Sequence, residues 1–266
     1  MGTAFLVTIP LDEENGIVYA VTARHVIDAS RPYGRLTIRF NNQDDEGFTD
    51  YWAPQDDWHT HPRSDVAVAP IHFDVNPDAR WIDPTLFLTD ERAKELELGE
   101  GDNVFFVGLF SEHFGQQRSQ PVVRFGNVAL MPREPLSLTI DAAPGAGRVA
   151  VDAYLVEARS WGGQSGSPAF AFFPTTRRMD TAFTLGPVPM LLGLVHGHYA
   201  IPQEVAFVGD ALVSGRVEVN AGMAVVIPVQ HILDVLNGPD LAAEREAALR
   251  EHQARQTAAE PIEPDQ

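Results

Sequence analysis

The most constraining feature of this chain is its punctuation. Across the first two thirds, short runs rich in β-branched and aromatic residues alternate with clusters of Gly, Pro, Asn and Asp. Residues 3–9, 16–23, 35–40 and 66–71 are such runs, followed by 103–109, 122–131, 153–158, 169–173, 190–195 and 223–229. Runs this short, bounded by turn formers, read as strands rather than helices. Asn15-Gly16 marks a hairpin turn, because both residues tolerate positive φ. Two stretches break the pattern. Residues 89–101 are Glu-rich and helical in propensity, and read as a linker. From Val229 apolar residues recur at helical spacing, and residues 240–255 continue with Ala, Glu and Arg, which are good helix formers.

The pattern predicts an all-β chain with a C-terminal α-helix. Its units are a first β-barrel over residues 1–90, a linker over 91–101 and a second β-barrel over 102–230. A helix over 231–256 and a disordered acidic tail over 257–266 complete it. Two packed antiparallel barrels fit this order, and a single large sandwich fits the periodicity as well. The acidic stretch at residues 41–57 reads as a solvated loop. The prolines and glycines of residues 132–147 read as a mobile loop.

Composition narrows the chemistry. The 266 residues contain no cysteine, which excludes a disulfide framework, a thiolate metal site and a cysteine nucleophile. A formal net charge of −18 argues against a nucleic-acid partner. No apolar run approaches the ~20 residues that span a bilayer, and the first residues lack the basic start of a signal peptide. The expectation is therefore a cytoplasmic protein with no membrane partner. No cofactor and no resident metal is expected, and the oligomeric state stays open.

Three islands carry chemistry. Thr22-Ala-Arg-His25 ends a buried strand where the chain must turn. Asp65 leads into the apolar run Val66-Ala-Val-Ala. Gly162-Gly-Gln-Ser165-Gly-Ser-Pro168 sets a serine among glycines before another strand. A serine hydroxyl needs an adjacent base to become a nucleophile, and histidine is the base matched to neutral pH. A buried carboxylate would hold that imidazole in the required tautomer. Glycines beside the serine let consecutive N–H groups converge on a developing oxyanion.

In this order, and joined by Gly2-Thr-Ala-Phe-Leu-Val and Leu192-Gly-Leu-Val-His-Gly197, the islands resemble the trypsin/chymotrypsin-like serine proteases. The likeness is to bacterial members without disulfides, of the HtrA and glutamyl-endopeptidase kinds, and spans residues 2–230. It implies a chymotrypsin-like pair of six-stranded-type barrels. It also implies a serine endopeptidase that cuts protein or peptide substrates through an acyl-enzyme. By the same resemblance His25 is the general base, Asp65 orients it and Ser165 is the nucleophile. The N–H groups of Gly163 and Ser165 form the oxyanion hole. His196, Gly197 and His198 lie along the strand that pairs with substrate. Arg159, six residues before the serine, sits at the pocket base and with His196 and His198 favours acidic side chains. Gln164 replaces the aspartate that pairs with a freed N-terminus in pancreatic-type members, which implies activity without N-terminal processing.

Two other readings stay open. One is a catalytically silent, protease-like binding module. The other is a metal-dependent hydrolase built on His59-Thr-His61 or His196-Gly-His198, since residues i and i+2 of a strand share a face.

Overall fold

The computed structural model describes residues 1–12, 15–43, 47–73, 77–138, 147–173, 188–207 and 213–259. The first half contains β1 (Phe5–Pro10), β2 (Gly16–Thr22), helix α1 (Arg24–Ser30), β3 (Thr37–Asn41) and β4 (Phe48–Trp52). The two-residue strand β5 (His59–Thr60), then β6 (Ala67–Pro70) and the two-residue strand β7 (Trp81–Ile82) follow. Five of these strands form a sheet in the order β5-β6-β2-β1-β7. Period-2 alternation splits their side chains between two faces. Phe5, Val7, Tyr19, Val21, Val66 and Val68 face the shared core. Leu6, Ala20, Ala67 and Ala69 face the opposite side, under Ile27 and Trp58.

Helix α2 (Asp90–Glu95) links this sheet to the second half, and the Thr89 hydroxyl caps it by accepting from the Arg92 N–H. The strands β8 (Asn103–Gly108), β9 (Val122–Leu130), β10 (Leu136–Leu138) and β11 (Val149–Val151) come next. They are followed by β12 (Tyr154–Glu157), β13 (Pro168–Phe172), β14 (Pro189–Phe207) and β15 (Val213–Pro228). Six of them close a barrel in the order β12-β15-β14-β13-β8-β9, which removes all edges. Val104, Phe106, Val128, Val156, Ala171, Leu192 and Val226 fill it. Helix α3 (Val229–Leu236) buries Val229, Ile232, Val235 and Leu236. Helix α4 (Pro239–Ala259) is held at its start by buried Leu241, and by Arg245, which donates to the Leu236 carbonyl at 2.6 Å.

One closed barrel stands where two were expected. Among the described residues the first half is an open sheet, with β3 and β4 as a separate two-stranded ribbon. Its edge strands β5 and β7 have two residues each, too few to carry pairing on to the ribbon. Ile38 and Phe40 of the ribbon pack on the sheet's outer face instead. The barrel also excludes a single large sandwich.

The acidic stretch at 41–57 is not all loop. Residues 48–52 form β4, and Asp50 accepts two hydrogen bonds from Arg39 across the ribbon, at 2.7 and 2.8 Å. Within the expected mobile loop, residues 136–138 form β10, which pairs with β11 just beyond the loop, while Pro144 and Gly145 lie outside the described residues. Most of the expected acidic tail, residues 260–266, lies outside them too. No helix among the described residues is long and apolar enough to cross a membrane.

Candidate active site at the junction of sheet and barrel

His25 follows strand β2, in the first turn of α1, and Asp65 lies in the bend just before β6. Thr22, the end of β2, pairs with Ala67, the start of β6. That register brings the turn after β2 beside the bend before β6. Asp65 is fully buried, and its carboxylate grips His25 twice. Oδ1 accepts the main-chain N–H of His25 at 2.9 Å, in the first turn of α1. Oδ2 accepts from Nδ1 of the same residue at 2.7 Å.

A second imidazole shares that carboxylate. His196 Nδ1 lies 2.5 Å from Asp65 Oδ2, and the two histidine rings meet edge to face at 5.3 Å. Burial alone would raise the pKa of Asp65. Hydrogen bonds from His196 and His25, together with their charges, outweigh it and hold the carboxyl below the ordinary carboxylate range. His196 reaches inward because of a β-bulge. On β14, Val195 pairs with Val226 and Gly197 with Val225, which leaves His196 as the extra residue between them. The bulge re-aims the side chain from the strand face to the carboxylate.

Ser165 lies in a tight loop held to the same strand. The Gly166 N–H donates to the Val195 carbonyl at 2.7 Å, and the Val195 N–H donates to the Ser167 carbonyl at 2.8 Å. Gly163 and Gly166 have φ of +92° and +85°, the left-handed region that glycine adopts without strain. Ser165 Oγ donates to the His196 carbonyl at 3.0 Å. Among the described residues that is its recorded hydrogen bond, and none joins it to His25. The main-chain N–H groups of Gly163 and Ser165 make no recorded backbone hydrogen bond among the described residues.

Two further residues fix this loop. Gln164 is buried, and its Oε1 accepts the Trp161 N–H at 2.8 Å, closing the turn on itself. Thr3 bridges sheet and barrel. Its N–H donates to the Ser165 carbonyl at 2.8 Å, and its hydroxyl donates to the Gly163 carbonyl at 2.7 Å while accepting from the Leu109 N–H at 2.9 Å. The role of Thr3 was hidden inside a motif that reads as an ordinary strand.

No protein-family model matches the chain. No curated protein matches it either. Among solved structures it is similar to the apo form of the MamO protease domain from Magnetospirillum magneticum. That likeness has a TM-score of 0.45 and 18% identity, and covers 81% of each chain.

The remaining expected site residues are spread out. Arg159 and His198 are exposed, and Gly197 is half-buried beside the bulge. The two His-x-His pairs do not converge. His59 faces Asp240 and Glu244 of α4 at 3.9 and 3.7 Å, whereas His61 stacks on His231 of α3 at 4.9 Å. His196 turns to Asp65, away from His198. A cavity of about 890 Å³ is lined by His61, Arg63, Lys94, Arg133, Tyr154 and His231 among others, and includes none of His25, Asp65 or Ser165.

Proposed function

We propose that the chain is a serine hydrolase that cleaves peptide bonds through an acyl-enzyme, in the manner of the trypsin/chymotrypsin-like proteases. The observation that carries this reading is the double hold of buried Asp65 on His25, through the main-chain N–H and through Nδ1. An ionised carboxylate only accepts, so the Nδ1 of His25 carries the proton and Nε2 keeps its lone pair.

In the first step the Ser165 hydroxyl turns from the His196 carbonyl to that lone pair. Its oxygen attacks the substrate carbonyl carbon while the proton passes to His25. The N–H groups of Gly163 and Ser165 receive the developing negative oxygen. His25 then gives its proton to the leaving amine, and the C–N bond breaks. Water repeats the sequence on the acyl-enzyme and frees Ser165. With its ring on Asp65, His196 serves as a positioning residue. Arg159 and His198 remain as the exposed groups that would favour acidic side chains, with Gly197 on the strand that meets substrate. Cleavage after Leu as fast as after Glu would remove that preference.

The test is a fluorophosphonate label mapped by mass spectrometry on the full chain. Labelling of Ser165 that disappears in Ser165→Ala and His25→Ala supports the reading. A folded chain that never labels is a protease-like binding module instead. The turn closed by Gln164 supports activity without N-terminal processing; labelling that begins only after proteolysis would refute that.

A further inference from the structure

His25, Asp65 and His196 bring two imidazole nitrogens and a carboxylate oxygen together, with one donor atom from each within 4.8 Å of the others. The geometry points to a zinc site made of these three residues, in which the ion switches the hydrolase off. The inhibitory half of this inference rests on the hydrolase reading above; the binding half does not.

The donor set argues for zinc. Two neutral imidazoles and one carboxylate suit Zn²⁺, with a fourth position left for water, whereas Mg²⁺ and Ca²⁺ favour all-oxygen shells. The Asp65 carboxylate is held in place by the His25 N–H on its Oδ1 at 2.9 Å, which leaves Oδ2 as the donor turned toward both rings. The two rings are partly exposed, with 27% and 15% of their side-chain surface open, so an ion can reach them from solvent. At ~2.0 Å from each donor, a tetrahedral ion spaces its ligands at roughly 3.3 Å. The present hydrogen bonds are 2.7 and 2.5 Å, so the rings must open by under about 1 Å.

The inhibition follows from proton placement. Zinc on Nδ1 uses the lone pair of that nitrogen, so each neutral ring moves its single proton to Nε2. No proton is lost from the pair. The Nε2 of His25 is the atom that must accept the Ser165 proton, and in the zinc form it is already protonated. Catalysis and coordination therefore exclude each other. His196 makes the difference, because His25 and Asp65 alone offer only two ligands.

The experiment measures zinc affinity of the full chain by competition with a chromogenic chelator. One ion per chain is expected, with affinity reduced at least tenfold in His196→Ser and in the isosteric Asp65→Asn, and unchanged in the control His59→Gln. Co²⁺ should give the visible absorption of a four-coordinate site in the wild type and lose it in both site variants. Wild-type affinity in folded His196→Ser overturns the site. In parallel, zinc should slow fluorophosphonate labelling of Ser165 at least tenfold, and EDTA should restore it. Labelling with no zinc binding leaves the hydrolase and removes the zinc site. Zinc binding that obeys the variants, in a chain whose Ser165 never labels when metal-free, leaves the zinc site and removes the hydrolase.

Discussion

The amino-terminal sheet has two edges, and the carboxy-terminal barrel has none. Yet each supplies part of one site. The sheet contributes His25 from the helix turn after β2 and Asp65 from the bend before β6, two strands that pair with each other inside the sheet. The barrel contributes the serine loop and the bulged His196 from the closed wall at β13 and β14. A site does not require two closed barrels. It requires that the turns bearing its residues be tied to interior strands packed on a common core. That core is continuous: Val21 and Val68 of the sheet lie in one cluster with Leu194 and Ile227 of the barrel and Ile232 of α3.

The comparison can be broken most sharply at the carboxylate that joins the halves. Asp65→Asn should lower turnover by on the order of 10⁴ by favouring the wrong imidazole tautomer, with the fold retained. Loss of fold in that variant, seen by circular dichroism, would make Asp65 structural first. Next come the cores. Phe106→Ala inside the barrel should cost about 4 kcal/mol in denaturant unfolding, since a closed wall cannot collapse into the void. Leu6→Ala on the outer face of the open sheet should cost less, about 2–3 kcal/mol, because the β3–β4 ribbon can settle toward it. Equal costs would mean that closure does not set rigidity here.

The seam gives a smaller effect. Thr3→Val removes two hydrogen bonds and leaves the Leu109 N–H unpaired, for about 1–3 kcal/mol. It should slow Ser165 labelling more than an equally destabilising change in the barrel core. The smallest effect belongs to the docking of α3. Burial lowers the pKa of His61 and of His231 below the ordinary 6.5, and the charge of His231 lowers His61 further. A histidine depressed in the fold contributes fully above its unfolded value, and the contribution fades as pH falls toward the folded one. Thermal stability should therefore drop as pH falls below about 6.5, and His231→Phe should flatten that slope.

Much of this architecture was legible because it follows period 2. The alternation in Phe5-Leu6-Val7 and Val66-Ala-Val-Ala69 sorts directly onto two faces. The pairing of His25 with Asp65 was legible from residue type and order. Three things were not. Helix α1 has one buried residue and no side-chain cap, so it leaves no apolar stripe to read. The openness of the first sheet depends on the length of β5 and β7, and composition is silent about two-residue strands. His196 was expected to line a substrate pocket, and its turn toward Asp65 arises from a bulge. A one-residue insertion of this kind reverses facing without altering the local pattern of residue types.

The hairpin of β14 and β15 spans two mechanical environments. Near Met190–Leu194 and Met223–Val226 it is flanked by β13 and β12. From Ala200 to Phe207 its strand partners among the described residues are Val213–Asn220 of its own other arm. One strand pair, interrupted by bulges near His196 and between His198 and Ala200, therefore holds two classes of amide clock. Near the barrel, deuterium uptake should wait for global unfolding. Further out, it should run on the faster schedule of a ribbon that opens by itself.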